Sequence, residues 1–183
     1  MRIGTIVGFC VFLCIYAILG LIHIYEDSTV KEDLEEQLFK NHPVLFADKE
    51  IPIEVGDGWF TLIDKLLDMM DSKFDRAVKD LEECTDEKMI GTYRALMLSE
   101  KEKLPSILQI KEKFGTLRFY CLGVTEEMRA QIDFAEHLSS TICEICGAVG
   151  EVSRGGGWHQ CMCSRCRNEL VSVKVSTTKR ELI

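Results

Sequence analysis

The sequence predicts an α+β fold: an N-terminal transmembrane helix, a helical region, a β-hairpin, another helix and a small zinc-ribbon or knuckle-like end. Three observations carry this expectation. Residues 3–25 form an uninterrupted apolar run, hydrophobic spacing changes from helical to alternating near residue 106, and two Cys-x-x-Cys pairs lie between Cys143 and Cys166. The 183 residues are 46% hydrophobic and 28% charged, a globular composition that excludes disordered, collagen-like and mucin-like classes.

The run IGTIVGFCVFLCIYAILGLIHIY (3–25) holds no formally charged residue. As a helix of about 34 Å it is long enough for a hydrocarbon core of about 30 Å. A secretory signal would have a shorter apolar stretch ending in a small-x-small site. The expectation is therefore a retained single-pass membrane anchor over 1–25. Two signals for its orientation disagree. Arg2 before the run and Glu26 and Asp27 after it favour an exported domain, whereas free thiols favour a cytosol-facing one.

Residues 26–58 read as a juxtamembrane helix and a connecting segment. Ser28 is placed to cap the helix, Pro43 stops it, and an extended piece is expected around Ile51–Val55. Gly56-Asp57-Gly58 predicts a tight turn, with Asp57 capping the next helix. Residues 59–183 are expected to form the α+β domain. Trp59, Leu62, Ile63, Leu66, Leu67 and Met70 make one apolar stripe, predicting a helix over 59–70 with Asp64, Lys65 and Asp68 on its opposite face. Further helices are expected over 72–83 (Phe74, Ala77, Val78, Leu81) and 86–103 (Met89, Ile90, Tyr93, Leu96, Met97). Gly91 marks a bend or a close approach in the latter. Alternation then predicts a hairpin of 106–112 and 116–122 turning at Gly115, followed by a helix over 126–141 and a last strand around Val171, Val173 and Val175.

Five of the nine cysteines fall between 143 and 166. Cys143/Cys146 and Cys163/Cys166 are separated by 16 residues, a spacing that suits a zinc ribbon or treble clef. Each two-residue gap forms a knuckle presenting two thiolates to one ion. Four thiolates leave no open position, so the expected cofactor is one structural zinc ion, contributing on the order of 10 kcal/mol to folding. Cys161 competes with Cys163 as a ligand, His159 is a less favoured substitute, and two disulfides in an exported domain are the alternative to zinc. Cys84 and Cys121 lie on apolar faces and are expected to be buried thiols.

The ordered motifs NHPVLF, IEVGDGWFTLIDKL, KEKFGTLRFY and SSTICEICG, followed by Trp158 and the last cysteine pair, resemble a group of small uncharacterised bacterial and prophage-encoded proteins. The resemblance covers about 41–166 and implies one compact α+β unit with a metal-binding end. It also implies the ligand set Cys143, Cys146, Cys163 and Cys166, and it supplies no reaction.

For function, the net charge of −8 makes the whole chain a poor phosphate binder. Residues 26–105 carry 21 acidic and 11 basic side chains, against 9 and 10 over 106–183. The histidines are scattered, and no H-x-x-x-H, G-x-S-x-G or phosphate loop occurs. The favoured expectation is a membrane-anchored, non-enzymatic protein-interaction module with structural zinc. In its concrete form it is an immunity or antitoxin-like protein that meets a basic protein partner. Its acidic face, or Arg154, Trp158, His159, Arg165 and Arg167, would make the contact. The same basic and aromatic residues support a zinc-ribbon nucleic-acid binder as one alternative, and a metal-stabilised enzyme of unknown reaction is the other.

Overall fold

A computed structural model describes residues 33–47, 51–153 and 159–170. The chain divides into two units, Met1–Gln37 and Leu38–Ile183. Residues 33–41 are helical (α1), and those to 37 are the described part of the first unit. The second unit is α+β, as expected.

Two expectations lie outside the described residues: the span over 3–25 and the strand around 171–175. The single-pass membrane assignment needs correction here. Among the described residues no helix is long and apolar enough to cross a membrane, so the functional reading below contains no membrane element.

A three-stranded sheet has the order β1-β2-β3, formed by Ile53–Glu54, Ser106–Lys113 and Thr116–Leu122. β1 pairs parallel with β2, Ile53 facing Ile110, and the crossover between them contains the two long helices α2 (Phe60–Glu82) and α3 (Glu87–Glu102). β2 and β3 form the expected antiparallel hairpin, with an irregularity between Ile107 and Gln109. Its two-residue turn has positive φ at both Phe114 (56°) and Gly115 (77°), which matches the twist of the strands it joins. β3 is an edge strand, and α4 (Glu126–Ser139) blunts that edge. Ser139 Oγ accepts the Leu117 N–H at 2.8 Å, and Glu136 Oε1 accepts the Phe119 N–H at 2.9 Å. Thr125 caps α4 through Oγ1 and the Met128 N–H, and Ile132, Ala135 and Ser139 are buried, as their spacing requires.

Two helices were expected over 59–83, and one continuous helix is found. The junction at Asp71-Ser72 contains neither Gly nor Pro, and buried Ile63, Leu67, Met70, Phe74 and Ala77 keep helical spacing across it. Asp57 does not begin this helix as a side-chain cap. Asp57–Trp59 is a 3-10 turn running into α2, and neither it nor α2 has a side-chain hydrogen bond at its N-cap.

α3 is capped by Asp86, whose side chain accepts the Lys88 N–H at 3.0 Å. It contains no buried residue: Ile90, Tyr93 and Met97 are half-buried, while Met89, Leu96 and Leu98 are exposed. Gly91 serves no close approach, since among the described residues nothing outside its own stretch of helix backbone lies within 4 Å of where its Cβ would stand. Cys84 and Cys121 are half-buried thiols rather than buried ones.

Candidate metal centre

The cysteine-rich end is built in the order knuckle, hairpin, helix. Cys143 and Cys146 flank a tight turn in which Gly147 N–H donates to Cys143 O at 2.9 Å, with Gly147 at φ 74°. The short antiparallel pair β4 (Glu151–Ser153) and β5 (Gln160–Met162) follows. Cys163 then precedes a helix over 164–170 (α5), and Cys166 lies in its first turn. Of the two arrangements that the spacing suits, a second pair placed at a helix start has the order of a treble clef.

Cys163 Sγ accepts the Cys166 N–H at 3.4 Å, acting as the cap of α5. That hydrogen bond draws the Cys163 thiol down to about 7, and the positive end of the helix favours the same thiolate. Burial, together with hydrogen bonding to the neighbouring sulfurs, pushes Cys166 up to about 12.

The four sulfur atoms of Cys143, Cys146, Cys163 and Cys166 all lie within 4.8 Å of one another. All four are free cysteines, and Cys146 Sγ and Cys163 Sγ are 3.7 Å apart. A tetrahedron with bonds of about 2.3 Å to zinc has edges of about 3.8 Å, so the donor set fits a closed four-thiolate ion. Cys161 is outside it. Its Sγ donates to Ser140 O at 3.2 Å, and burial raises its thiol to about 11, which suits a neutral buried group. Of the cysteine sets that the spacing left open, Cys143, Cys146, Cys163 and Cys166 is therefore the one that could hold a metal.

The motif around Trp59 anchors this centre to the core. Gly58 N–H donates to Glu144 O at 2.8 Å, and the Trp59 indole N–H donates to Ile142 O at 2.8 Å. Gly56 N–H donates to Glu144 Oε1 at 3.3 Å, while burial followed by the charge of Glu112 raises the Glu144 carboxyl above its ordinary value. A Cβ on Gly58 would stand 2.1 Å from Cys143 O and 2.4 Å from Gly147 N. Gly56 and Gly58 are thus glycines because the knuckle backbone lies against them. A second attachment comes from the β2–β3 turn. A Cβ on Gly115 would meet Val152 Cγ1 at 2.7 Å, and the Phe114 ring meets the His159 ring edge-on at 6.1 Å.

The expected partner-contact residues are dispersed in role. Arg154 and Trp158 lie outside the described residues. His159 is half-buried against Phe114. Arg167 is committed to the metal end itself: Nη1 reaches Glu151 Oε1 at 3.2 Å, and Nη2 donates to Glu151 O and Met162 O. Arg165 is exposed on α5, 4.0 Å from Glu169.

A second group of donors escaped the sequence reading. His42 is buried and meets Asp71 and Asp64, which lie on α2 with Asp68 at i, i+4 and i+7. Burial alone would lower the basicity of His42, but hydrogen bonds and charges from Asp71, then Asp64, outweigh it and hold the ring above its ordinary value. The carboxylate spacing was visible, yet it read as the solvent face of a helix.

Compared with known proteins, the chain matches no protein-family model, no curated protein and no solved structure.

Proposed function

We propose that this chain is a non-enzymatic protein-interaction module whose distal end is fixed by one structural zinc ion on Cys143, Cys146, Cys163 and Cys166. A closed sulfur set offers no coordination position for substrate, so its role is folding and rigidity. The partner-binding surface is the corner between α2 and α3. Asp80, Glu82, Glu83, Asp86 and Glu87 are all exposed there, with no basic residue in the stretch Asp80–Glu87. Exposed Met89 and Leu96 lie on the adjoining helix.

That corner is the observation that carries the proposal. It is an acidic edge beside apolar side chains that the fold leaves uncovered, the combination that suits a basic protein with an apolar anchor. An immunity or antitoxin-like role against a cationic effector is the concrete form, in keeping with the prophage-type resemblance. The test is affinity capture from the native host with wild-type chain and with Glu82→Lys/Glu87→Lys and Met89→Ser variants. A specific cationic partner, lost with charge reversal and weakened by added salt, is expected. No partner, or one indifferent to all three changes, contradicts the proposal.

A further inference from the structure

The geometry points to a second metal site, for a divalent cation of borderline to hard character, formed by His42 Nε2, Asp64 Oδ1 and Asp68 Oδ1. These three side chains place donor atoms within 4.8 Å of one another. Nε2 lies 3.2 Å from Asp64 Oδ1 and 3.9 Å from Asp68 Oδ1. The two aspartates are one helical turn apart on α2 and present the same face to the ring.

The other side of the imidazole supplies an independent argument. Asp71, with a side chain only 5% exposed, holds Nδ1 at 2.7 Å through Oδ2. A buried carboxylate on one ring nitrogen, fixing the ring so that the other nitrogen faces oxygen donors, is the outer-shell arrangement that accompanies metal-bound histidine. Asp71 Oδ1 is buried and has no hydrogen-bond partner among the described residues. A carboxylate with an unsatisfied buried oxygen favours positive charge nearby.

Lys65 does not fill the same place. Its Nζ sits at Asp64 Oδ2 (3.3 Å) and Asp68 Oδ2 (2.5 Å), the outer oxygens, leaving both Oδ1 atoms on the His42 side. Asn41 Nδ2 donates to Asp64 Oδ1 at 3.0 Å and steadies that carboxylate. An ion here takes the place of the proton that Nε2 otherwise shares with Asp64. Asp68 is half-exposed while His42 is 2% exposed, so the site opens to solvent on the Asp68 side and its remaining positions are left for water or an anionic ligand.

One nitrogen and two carboxylate oxygens suit Mn²⁺ or Fe²⁺, whereas four thiolates select zinc over manganese. The two centres thus differ in softness, and Mn²⁺ distinguishes them. The site is independent of the partner-binding proposal, and either can fail alone.

The full-length, zinc-loaded protein is titrated with Mn²⁺. Free ion is followed by electron paramagnetic resonance, and the histidine rings by ¹⁵N NMR. One saturable Mn²⁺ per chain is expected, broadening His42 ahead of His137 and His159. Asp64→Asn and Asp68→Asn each weaken binding at least about tenfold, and Asp71→Asn weakens it by about 10- to 100-fold. Circular dichroism confirms that each variant is folded, and Asp68, half-exposed, is the change least able to disturb the core. Absence of saturable Mn²⁺ binding, wild-type affinity in folded Asp68→Asn or Asp64→Asn, or an unperturbed His42 resonance overturns the proposal.

Discussion

Replacing Gly58 by alanine tests whether the cysteine knuckle is docked on the core as described. The added Cβ would stand 2.1 Å from Cys143 O, 2.4 Å from Gly147 N and 2.8 Å from Cys146 N. All three are backbone atoms, so no side chain can rotate away, and the 3-10 turn must separate from the knuckle. Overpacking of this kind costs about 1–3 kcal/mol. Losing the 2.8 Å bond from Gly58 N–H to Glu144 O adds about 1 kcal/mol. The total is about 2–4 kcal/mol, a fall in Tm of roughly 4–16 °C for a chain of this size. Gly91→Ala is the internal control. Gly91 is exposed within α3, and among the described residues nothing outside its own stretch of helix backbone lies near its Cβ position, so alanine there stabilises by up to about 1 kcal/mol. Thermal unfolding of the two variants beside wild type, with and without chelator, reads both effects. Gly58→Ala within about 0.5 kcal/mol of wild type would refute the docking argument, since that is the range of a neutral surface change. So would equal destabilisation by the two changes.

The same geometry fixes other outcomes. Trp59→Phe keeps most of the apolar volume but removes the hydrogen bond from the buried indole to the half-buried Ile142 carbonyl, costing about 1 kcal/mol in denaturant unfolding. Ser139→Ala removes the acceptor of the Leu117 N–H on the edge strand and costs about 1–3 kcal/mol, with faster amide exchange at Leu117. Cys166→Ser abolishes stoichiometric zinc in elemental analysis, whereas Cys161→Ser retains it, because the Cys161 thiol is committed to Ser140 O. Chelator in excess lowers the Tm of wild type but leaves that of folded Cys166→Ser unchanged.

Periodicity made most of the fold legible. The stripe from Trp59 to Met70, the two alternating strands of the hairpin and the helix that follows them each appear where spacing put them. Paired Cys-x-x-Cys spacing identified the four sulfurs that come together. The local pattern could not show what lies against Gly56 and Gly58: a turn glycine and a close-approach glycine are identical in sequence, and the knuckle they touch is more than 80 residues away. Asp64, Asp68 and Asp71 were hidden for a related reason. Charged residues opposite an apolar stripe read as solvated, and His42 reaches them from outside the helix. Splitting 59–83 into 59–70 and 72–83 left Asp71 outside both helices, when Asp71 is in fact buried against His42.

Zinc K-edge X-ray absorption on protein carrying one equivalent of zinc tests the four-sulfur centre most directly. Four sulfur neighbours at about 2.3 Å, lost in Cys166→Ser, are the expected result. A first shell of nitrogen and oxygen, or a chain that retains no zinc with its thiols free, would contradict it.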